Sequence, residues 1–285
     1  MKTSGILCLL AGLALAQAAR GGTLYAVNQS DNGMYRLDKA TGAATLIGPT
    51  GQFLDIPGMT FDPSTGLLVV SNAFVPGSLD AFGIGFAKPG TAAVSTPHDF
   101  QSSLSIPSVA YHRPSDTLYG LSINPYRLST IDRASGVATP GPVPFADPPT
   151  VVRLLGIAFS RDGATLYAVS EFLLHQVDRA SGHVTTIGPH GLDLGDVNTF
   201  GVGLAIDPDD GTFFLVHPVT GDLYRLDPAT GAATRLGPTG IRPTGIAASG
   251  SATVEVPALG PAGLIGLALL LAVIGLLFAK RRRPN

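Results

Sequence analysis

The side chains best suited to chemistry are polar residues that follow short apolar runs. Five of them are Asn28, Asn72, Asn124, Glu171 and His217. Further oxygen-bearing side chains occur close to them or between the apolar runs: Asp55, Asp99, Ser122, Asp193 and Asp196. Amide and carboxylate oxygens are the ligands that calcium prefers, and a bound cation could support hydrolysis. The alternative is that these groups cap strand ends and bind water.

Familiar catalytic spacings do not occur in the sequence. It contains no Gly-x-Ser-x-Gly, His-Glu-x-x-His, P-loop or Gly-x-Gly-x-x-Gly pattern. Asp207-Pro-Asp-Asp-Gly211 resembles part of a calcium loop but lacks the downstream Glu, and we interpret it as a turn. The sequence therefore predicts no cofactor, with calcium at the polar positions as the alternative.

Composition narrows the fold class. With 36 Gly, 23 Pro and 13% charged residues, the chain is neither a coiled coil nor a highly charged disordered chain. Without Lys2 and the four basic residues near the C-terminus, 13 basic residues face 20 acidic ones, a formal net charge of −7. An acidic body without a basic stripe argues against nucleic-acid binding. Many short strands joined by turns remain the best class.

One sequence motif recurs along the body. Residues 34–51 and 223–240 are identical at 14 of 18 positions, and shorter versions occur at 131–139 and 177–188. Each has an Asp that caps backbone amides and a Gly suited to positive φ, which predicts a tight turn between strands. Successive turn aspartates lie 94, 46 and 49 residues apart: Asp38, Asp132, Asp178 and Asp227. Because 94 is twice 47, we expect a degenerate fifth copy near residue 85.

A second motif alternates with the first. It consists of a small residue, an apolar triplet, a turn and an apolar strand. Its copies begin at Gly58, Ser108, Gly156, Gly203 and Gly245, in steps of 50, 48, 47 and 42 residues. Counting the expected degenerate copy, two independent motifs therefore both occur five times.

A repeat of this length with four short strands is typical of a propeller blade. The body begins with a second strand at 23–27 and ends with a first strand at 245–248. These two halves complete one blade, which joins the termini and removes exposed sheet edges. We therefore predict an all-β, five-bladed β-propeller over residues 22–250, closed by a split blade. A β-solenoid with the same period is the alternative.

The N-terminus has the layout of a secretory signal peptide. Lys2 precedes an apolar run at 6–16, and Ala16-Gln17-Ala18 provides a cleavage site. We predict a signal peptide over residues 1–18, with a buried helix as the alternative. The one cysteine, Cys8, lies within it, so the exported body would hold no disulfide.

The C-terminus has the layout of a membrane anchor. Residues 262–279 carry no charge, and as a helix they would span about 27 Å. The basic tail at 280–285 predicts a cytoplasmic end, with the body outside the cytoplasm. Residues 251–261 would then form a linker.

The linker carries a recognisable motif. Val256, Pro257, Ala258, Leu259 and Gly260, followed by the apolar segment and an Arg cluster, resemble the IPTL-CTERM sorting signal, which is related in layout to the PEP-CTERM signals of Gram-negative bacteria. The resemblance covers about the last 30 residues. It implies recognition by an exosortase-type membrane enzyme, removal of the helix and transfer to the cell surface. Val-Pro-Ala-Leu replaces Ile-Pro-Thr-Leu here and the usual Trp is absent, so a plain single-pass anchor is the alternative.

The body carries two further resemblances. Its Leu-Tyr-x-Leu-Asp-x-x-Thr-Gly pattern resembles secreted bacterial propellers, which implies the fold and export. The polar positions resemble, in layout, the calcium-dependent lactonase propellers of the gluconolactonase type, which have six blades.

The sequence favours an exported, surface-anchored or surface-sorted propeller that acts as a non-catalytic binding module. Its expected partners are an extracellular protein or polysaccharide, besides the membrane and the sorting enzyme. The alternatives are a calcium-dependent hydrolase or lactonase at the channel mouth and a structural component of the envelope. The second blade, 58–107, departs from the repeat at 74–86 and, with loops 141–155 and 188–202, is the predicted contact surface.

Overall fold

The computed structural model describes residues 22–28, 30–52, 58–74, 82–95, 97–100, 105–123, 126–195 and 201–251. The predicted signal peptide, the sorting motif and the apolar segment 262–279 lie outside these residues. Within them, no helix is long and apolar enough to cross a membrane. The described chain is all-β apart from one 3-10 turn at Arg113–Ser115.

The strands follow one another along the chain in this order: β1 (Leu24–Asn28), β2 (Gly33–Leu37), β3 (Ala44–Pro49), β4 (Met59–Asp62), β5 (Leu67–Phe74), β6 (Phe82–Ala87), β7 (His98–Asp99), β8 (Ser108–His112), β9 (Thr117–Ile123), β10 (Tyr126–Ile131), β11 (Ala138–Pro140), β12 (Phe145–Ala146), β13 (Thr150–Val151), β14 (Gly156–Phe159), β15 (Leu166–Val169), β16 (Leu173–Val177), β17 (Val184–Pro189), β18 (Leu204–Ile206), β19 (Phe213–Val216), β20 (Asp222–Leu226), β21 (Ala233–Pro238) and β22 (Pro243–Ala248).

Twenty of these strands form five four-stranded antiparallel sheets, each of which is a blade, and β12 and β13 form a separate two-stranded sheet. Blade A is β22-β1-β2-β3, blade B is β4 to β7, blade C is β8 to β11, blade D is β14 to β17, and blade E is β18 to β21. The five first strands contact one another in the cyclic order β22, β4, β8, β14, β18 and back to β22. This ring confirms the predicted five-bladed propeller with its split blade and excludes the solenoid alternative.

Each second strand is buried on both faces because it lies between two neighbouring blades. In β1, Leu24 and Ala26 pack with Phe214 of blade E. The alternate residues Tyr25 and Val27 pack with the core that includes Met59 of blade B. Side chains alternate between the two faces of a strand, so one apolar strand joins two cores.

The split blade is held by backbone pairing and by one carboxylate. Strand β1 pairs antiparallel with β22, with Leu24 opposite Ala248. Just beyond this pair, Asp209 accepts hydrogen bonds from Gly22 N at 2.7 Å, from Ser251 N at 2.9 Å and from Ser251 Oγ at 2.6 Å. Burial opposes ionisation of Asp209, but these hydrogen bonds outweigh it and hold its pKa below the usual value. The two ends of the propeller are therefore joined through a charged acceptor.

The repeated turn between third and fourth strands follows the predicted chemistry. Asp38 Oδ1 accepts from Ala40 N at 2.9 Å and from Thr41 N at 2.8 Å. Gly42 has φ +81, and a Cβ on it would lie 2.7 Å from Gly237 O of the adjacent blade. In the degenerate copy of blade B, Lys88 stands at the Asp position and Ala92 takes the glycine position, with φ 64. The expected fifth copy near residue 85 is thus confirmed as β6 and its turn.

We predict that Asp209→Ala destabilises the closure. Loss of its charged hydrogen bonds is expected to cost about 2 kcal/mol and to increase hydrogen exchange in β1 and β22. The matched control is Asp210→Ala, because Asp210 makes a local cap on Thr212 N at 2.8 Å. We expect the control to cost about 0.5–1 kcal/mol and to leave exchange in β22 unchanged. Exchange mass spectrometry that shows equal effects of both variants would contradict this role.

Candidate functional site

Two ends of the propeller differ in how they are built. We call the loop end the set of loops that join second to third strands and the segments that join blades: 29–32, 75–81, 124–125, 170–172, 217–221, 50–58, 100–107, 141–155, 190–203 and 239–242. The remaining connections form the turn end. Antiparallel strands reverse direction at each connection, so the strand termini that the two sets join lie at opposite ends of the blades.

The predicted polar residues lie mostly at the loop end. Asn28 is the last residue of β1 and is buried, and its side chain accepts from Ser30 N at 3.4 Å. Glu171 is half-buried in the turn between β15 and β16. His217 is half-buried just after β19, and its Nδ1 accepts from Val219 N at 3.2 Å and from Thr220 N at 3.3 Å.

Only some of the other candidate residues lie in the part of the chain that the structure describes. Asn72 lies in β5 by its backbone, and Asn124 lies outside the described residues, as do Asp55 and Asp196. Asp99 lies in β7 opposite Gly83. Asp193 is exposed and accepts from Gly195 N at 3.0 Å. The ring of ligands therefore stays a prediction.

The strand register identifies one residue that sequence reasoning missed. Ser170 occupies the position that Asn28, Asn72, Ser122 and His217 hold in or directly after the second strands of the other four blades. Ser71 donates to Gly58 O at 3.3 Å and Ser122 donates to Arg127 O at 3.3 Å. An alignment of the five second strands would have shown this polar column. Ser122 in this column, and Ser71 just before the column position in blade B, hold the backbone of nearby connections.

A buried histidine pair lies beneath the loops of blade D. His175 is 2% exposed, and its Nε2 lies 2.8 Å from Ser170 Oγ while its Nδ1 lies 3.2 Å from Thr186 Oγ1. His190 Nε2 lies 3.2 Å from Ser170 O, and His190 Nδ1 accepts from Leu192 N at 3.2 Å. His190 is therefore a neutral imidazole that carries its proton on Nε2, because Nδ1 accepts and a carbonyl can only accept.

A serine beside a histidine is the arrangement of an activated nucleophile, so its electrostatics matter. Burial, and to a smaller extent the nearby His190, lower the pKa of His175 to about 4. Its second nitrogen contacts a hydroxyl, whereas an activating histidine is supported by a group that stabilises the imidazolium. The pair is better suited to holding the β15–β16 turn in place than to removing a proton from Ser170.

The channel between the first strands is narrow. The cavity there has a volume of about 80 Å³ and is lined by apolar residues such as Met59, Ile157 and Ile246, with Arg113 and Arg161 toward its turn end. Ligand pockets usually have volumes of about 300–1,000 Å³. Among the described residues, no group of three or more His, Cys, Asp and Glu side chains is close enough to hold a metal ion.

We predict that His175 makes folding sensitive to acid. Its folded pKa lies below the ordinary 6.5, so the unfolded chain binds more protons and stability falls as the pH drops from 6.5 toward 4. Replacing His175 with Gln should reduce the pH slope of the unfolding free energy by at most about 1.4 kcal/mol per pH unit. Urea denaturation of the detergent-solubilised chain at several pH values measures this slope. The exposed His98→Gln is the control, and an unchanged slope in His175→Gln would refute the prediction.

Comparison with known proteins is informative about the fold. No family model and no curated protein matches the chain. Among solved structures 467 chains match, so the fold is widely shared and singles out no function. One of them, described as "Crystal structure of Nidogen/Laminin Complex", aligns with a TM-score of 0.51 at 13% sequence identity and covers 81% of this chain and 99% of that chain. This similarity supports the β-propeller fold.

Proposed function

We propose that this chain is an exported, envelope-anchored β-propeller that acts as a non-catalytic interaction module, with the loop end as its binding surface. The observation that carries the proposal is the contrast between the two ends. At the turn end, four blades repeat one Asp-capped turn. At the loop end, the segments between second and third strands vary in length, with 124–125 the shortest and 75–81 the longest. Their sequences are unrelated. Variable loops on a rigid scaffold are where binding proteins carry specificity.

Exposed apolar side chains at the loop end support the proposal that this end is the binding surface. Phe172 is 48% exposed at the tip of the β15–β16 turn, and Val219 is 59% exposed in the corresponding loop of blade E. A short turn with an exposed Phe presents apolar surface to water, which favours burial against a partner. The proposed partner is an extracellular protein or polysaccharide.

The proposed cellular location of the protein rests on the sequences of its two terminal segments. Residues 1–18 would direct export, and 262–279 with the basic tail would anchor the body outside the cytoplasm. An exosortase-type enzyme would act at the motif Val256 to Gly260.

A calcium-dependent hydrolase at the loop end is the alternative function, and elemental analysis distinguishes the two. We expect the purified chain to hold less than one calcium ion per molecule after dialysis. One tightly held ion that chelation removes would favour the hydrolase, with Asn28, Asn72, Asn124, Glu171 and His217 as the residues to replace.

If the loop end is the binding surface, substitutions there should weaken binding and substitutions elsewhere on the surface should not. The variants Phe172→Ser and Val219→Ser should each weaken association of the detergent-solubilised full chain with isolated cell envelopes by about tenfold or more, because each buried apolar side chain contributes about 1.5–3 kcal/mol. The matched control is Leu46→Ser on the outer strand β3, since Leu46 is 58% exposed. Equal binding by all three variants in a co-sedimentation assay would rule out the loop end as the binding surface.

Export is tested by reporter fusions in a Gram-negative host. Alkaline phosphatase joined after residue 251 should be active, because this enzyme matures outside the cytoplasm. The same reporter after residue 285 should be inactive, and deletion of residues 1–18 should abolish the activity of the first fusion. An active fusion after residue 285 would contradict the proposed orientation.

A further inference from the structure

Cations at the turn end connect neighbouring blades. The residue after the capping Asp of a turn reaches back to the connection between the first and second strands of the preceding blade. Lys39 of blade A pairs in this way with Asp207 of blade E, and Arg133 of blade C pairs with Asp62 of blade B. Both carboxylates are almost fully buried, with 3% and 0% of their side chains exposed. A buried carboxylate requires such a partner.

Blade C shows the complete arrangement around its cation. Besides Asp62, Arg133 contacts a second carboxylate, with Nη2 2.7 Å from Asp116 Oδ1. The guanidinium carbon lies 5.4 Å from the centre of the Tyr111 ring. One arginine therefore has an aromatic face below it and two carboxylates beside it.

Blade D repeats the arginine and the aromatic face without the carboxylates. Arg179 lies over Phe159, at 5.4 Å from the ring centre, and over Tyr119, at 5.7 Å. In the strand register, His112 replaces Asp62 and Ala164 replaces Asp116. Arg179 forms no salt bridge among the described residues.

His112 is a poor substitute for a carboxylate. Its Nε2 lies 3.2 Å from Arg179 Nη1 and 3.0 Å from Gly163 O. A neutral imidazole nitrogen cannot accept from the arginine while it donates to the carbonyl. The positive charge of Arg179 is therefore not balanced by this contact.

The carboxylate next to Arg179 in the sequence, that of Asp178, is hydrogen-bonded to backbone amides of its own turn. Asp178 Oδ1 accepts from Ala180 N at 2.8 Å and from Ser181 N at 3.0 Å, as the capping Asp does in every standard turn. Together with Asp178, the residues Tyr119, Ala164 and Arg179 line a cavity of about 460 Å³. A second cavity of about 210 Å³ shares Tyr119 and Arg179. His112 fills the place of one missing carboxylate, but the place of the other, at Ala164, opens into a cavity large enough for a sugar-sized ligand.

We propose that Arg179 binds a carboxylate-bearing small ligand in this cavity between blades C and D. The guanidinium offers a planar pair of N–H donors that matches a carboxylate, and the ligand takes the role that Asp116 plays for Arg133. Since the body has a formal net charge of −7, its long-range field favours a singly charged ligand over a polyanion. The site lies at the turn end and is independent of binding by the loop end.

Calorimetry on the detergent-solubilised full chain tests the site with three probes. Galacturonate is a sugar carboxylate, galactose is its neutral counterpart, and acetate is a carboxylate without a sugar. We expect galacturonate to bind and galactose not to bind. Binding of acetate as well would assign recognition to the carboxylate alone, and its failure would assign part of it to the sugar ring.

Two substitutions locate the site. Arg179→Gln should weaken galacturonate binding at least tenfold. Ala164→Asp should do the same, because it supplies an internal carboxylate to Arg179, whereas the neutral Ala164→Asn should bind like the native chain. Ala164→Asp should also raise the melting temperature above that of Ala164→Asn by about 1–3 °C. The proposal is overturned if no carboxylate probe binds the native chain, or if Ala164→Asp binds galacturonate as well as Ala164→Asn does.

Discussion

Closure of the ring by β1 and β22 is the constraint on which the rest of the structure depends. Every second strand is apolar on both faces, so each blade needs a neighbour on both sides to bury it. A row of blades would leave two such faces and two sheet edges exposed to water. Pairing of β1 with β22 removes both exposures together. The split blade and the Asp209 contacts are therefore conditions for a continuous core.

The same constraint explains why the turn end repeats so closely. The turn glycine approaches backbone of the preceding blade at several interfaces, as Gly42 does at Gly237 O and Gly231 does at Gly188 O. A side chain there would collide with main-chain atoms, which cannot move without displacing a blade. Loops at the loop end that do not make such contacts can vary in length and sequence, and this freedom is what a binding surface requires.

The fold was predictable because its determinants are local and repeated. The Asp-x-Ala-Thr-Gly turns and their spacing gave the number of blades, and the order of the two motifs gave the split blade. The hairpin β12–β13 within 141–155 was not predicted, because strands of two residues have no periodicity to detect. The contact of Ser170 with His175, and the loss of both carboxylates around Arg179, depend on which side chains face each other. That information requires the register between strands and between neighbouring blades.

Because the blades repeat, side chains at equivalent positions of different blades can be compared directly. Backbone contacts between blades tolerate little change, but a contact between two side chains can be altered without moving the blades. Replacing Asp62 and Asp116 by their counterparts His112 and Ala164 leaves the strands, the aromatic face and the arginine in place. The result is a cation whose surroundings are already arranged for a carboxylate and whose internal partner is gone. In a repeat protein, such an exchange converts a structural ion pair into a binding site with little effect on the fold.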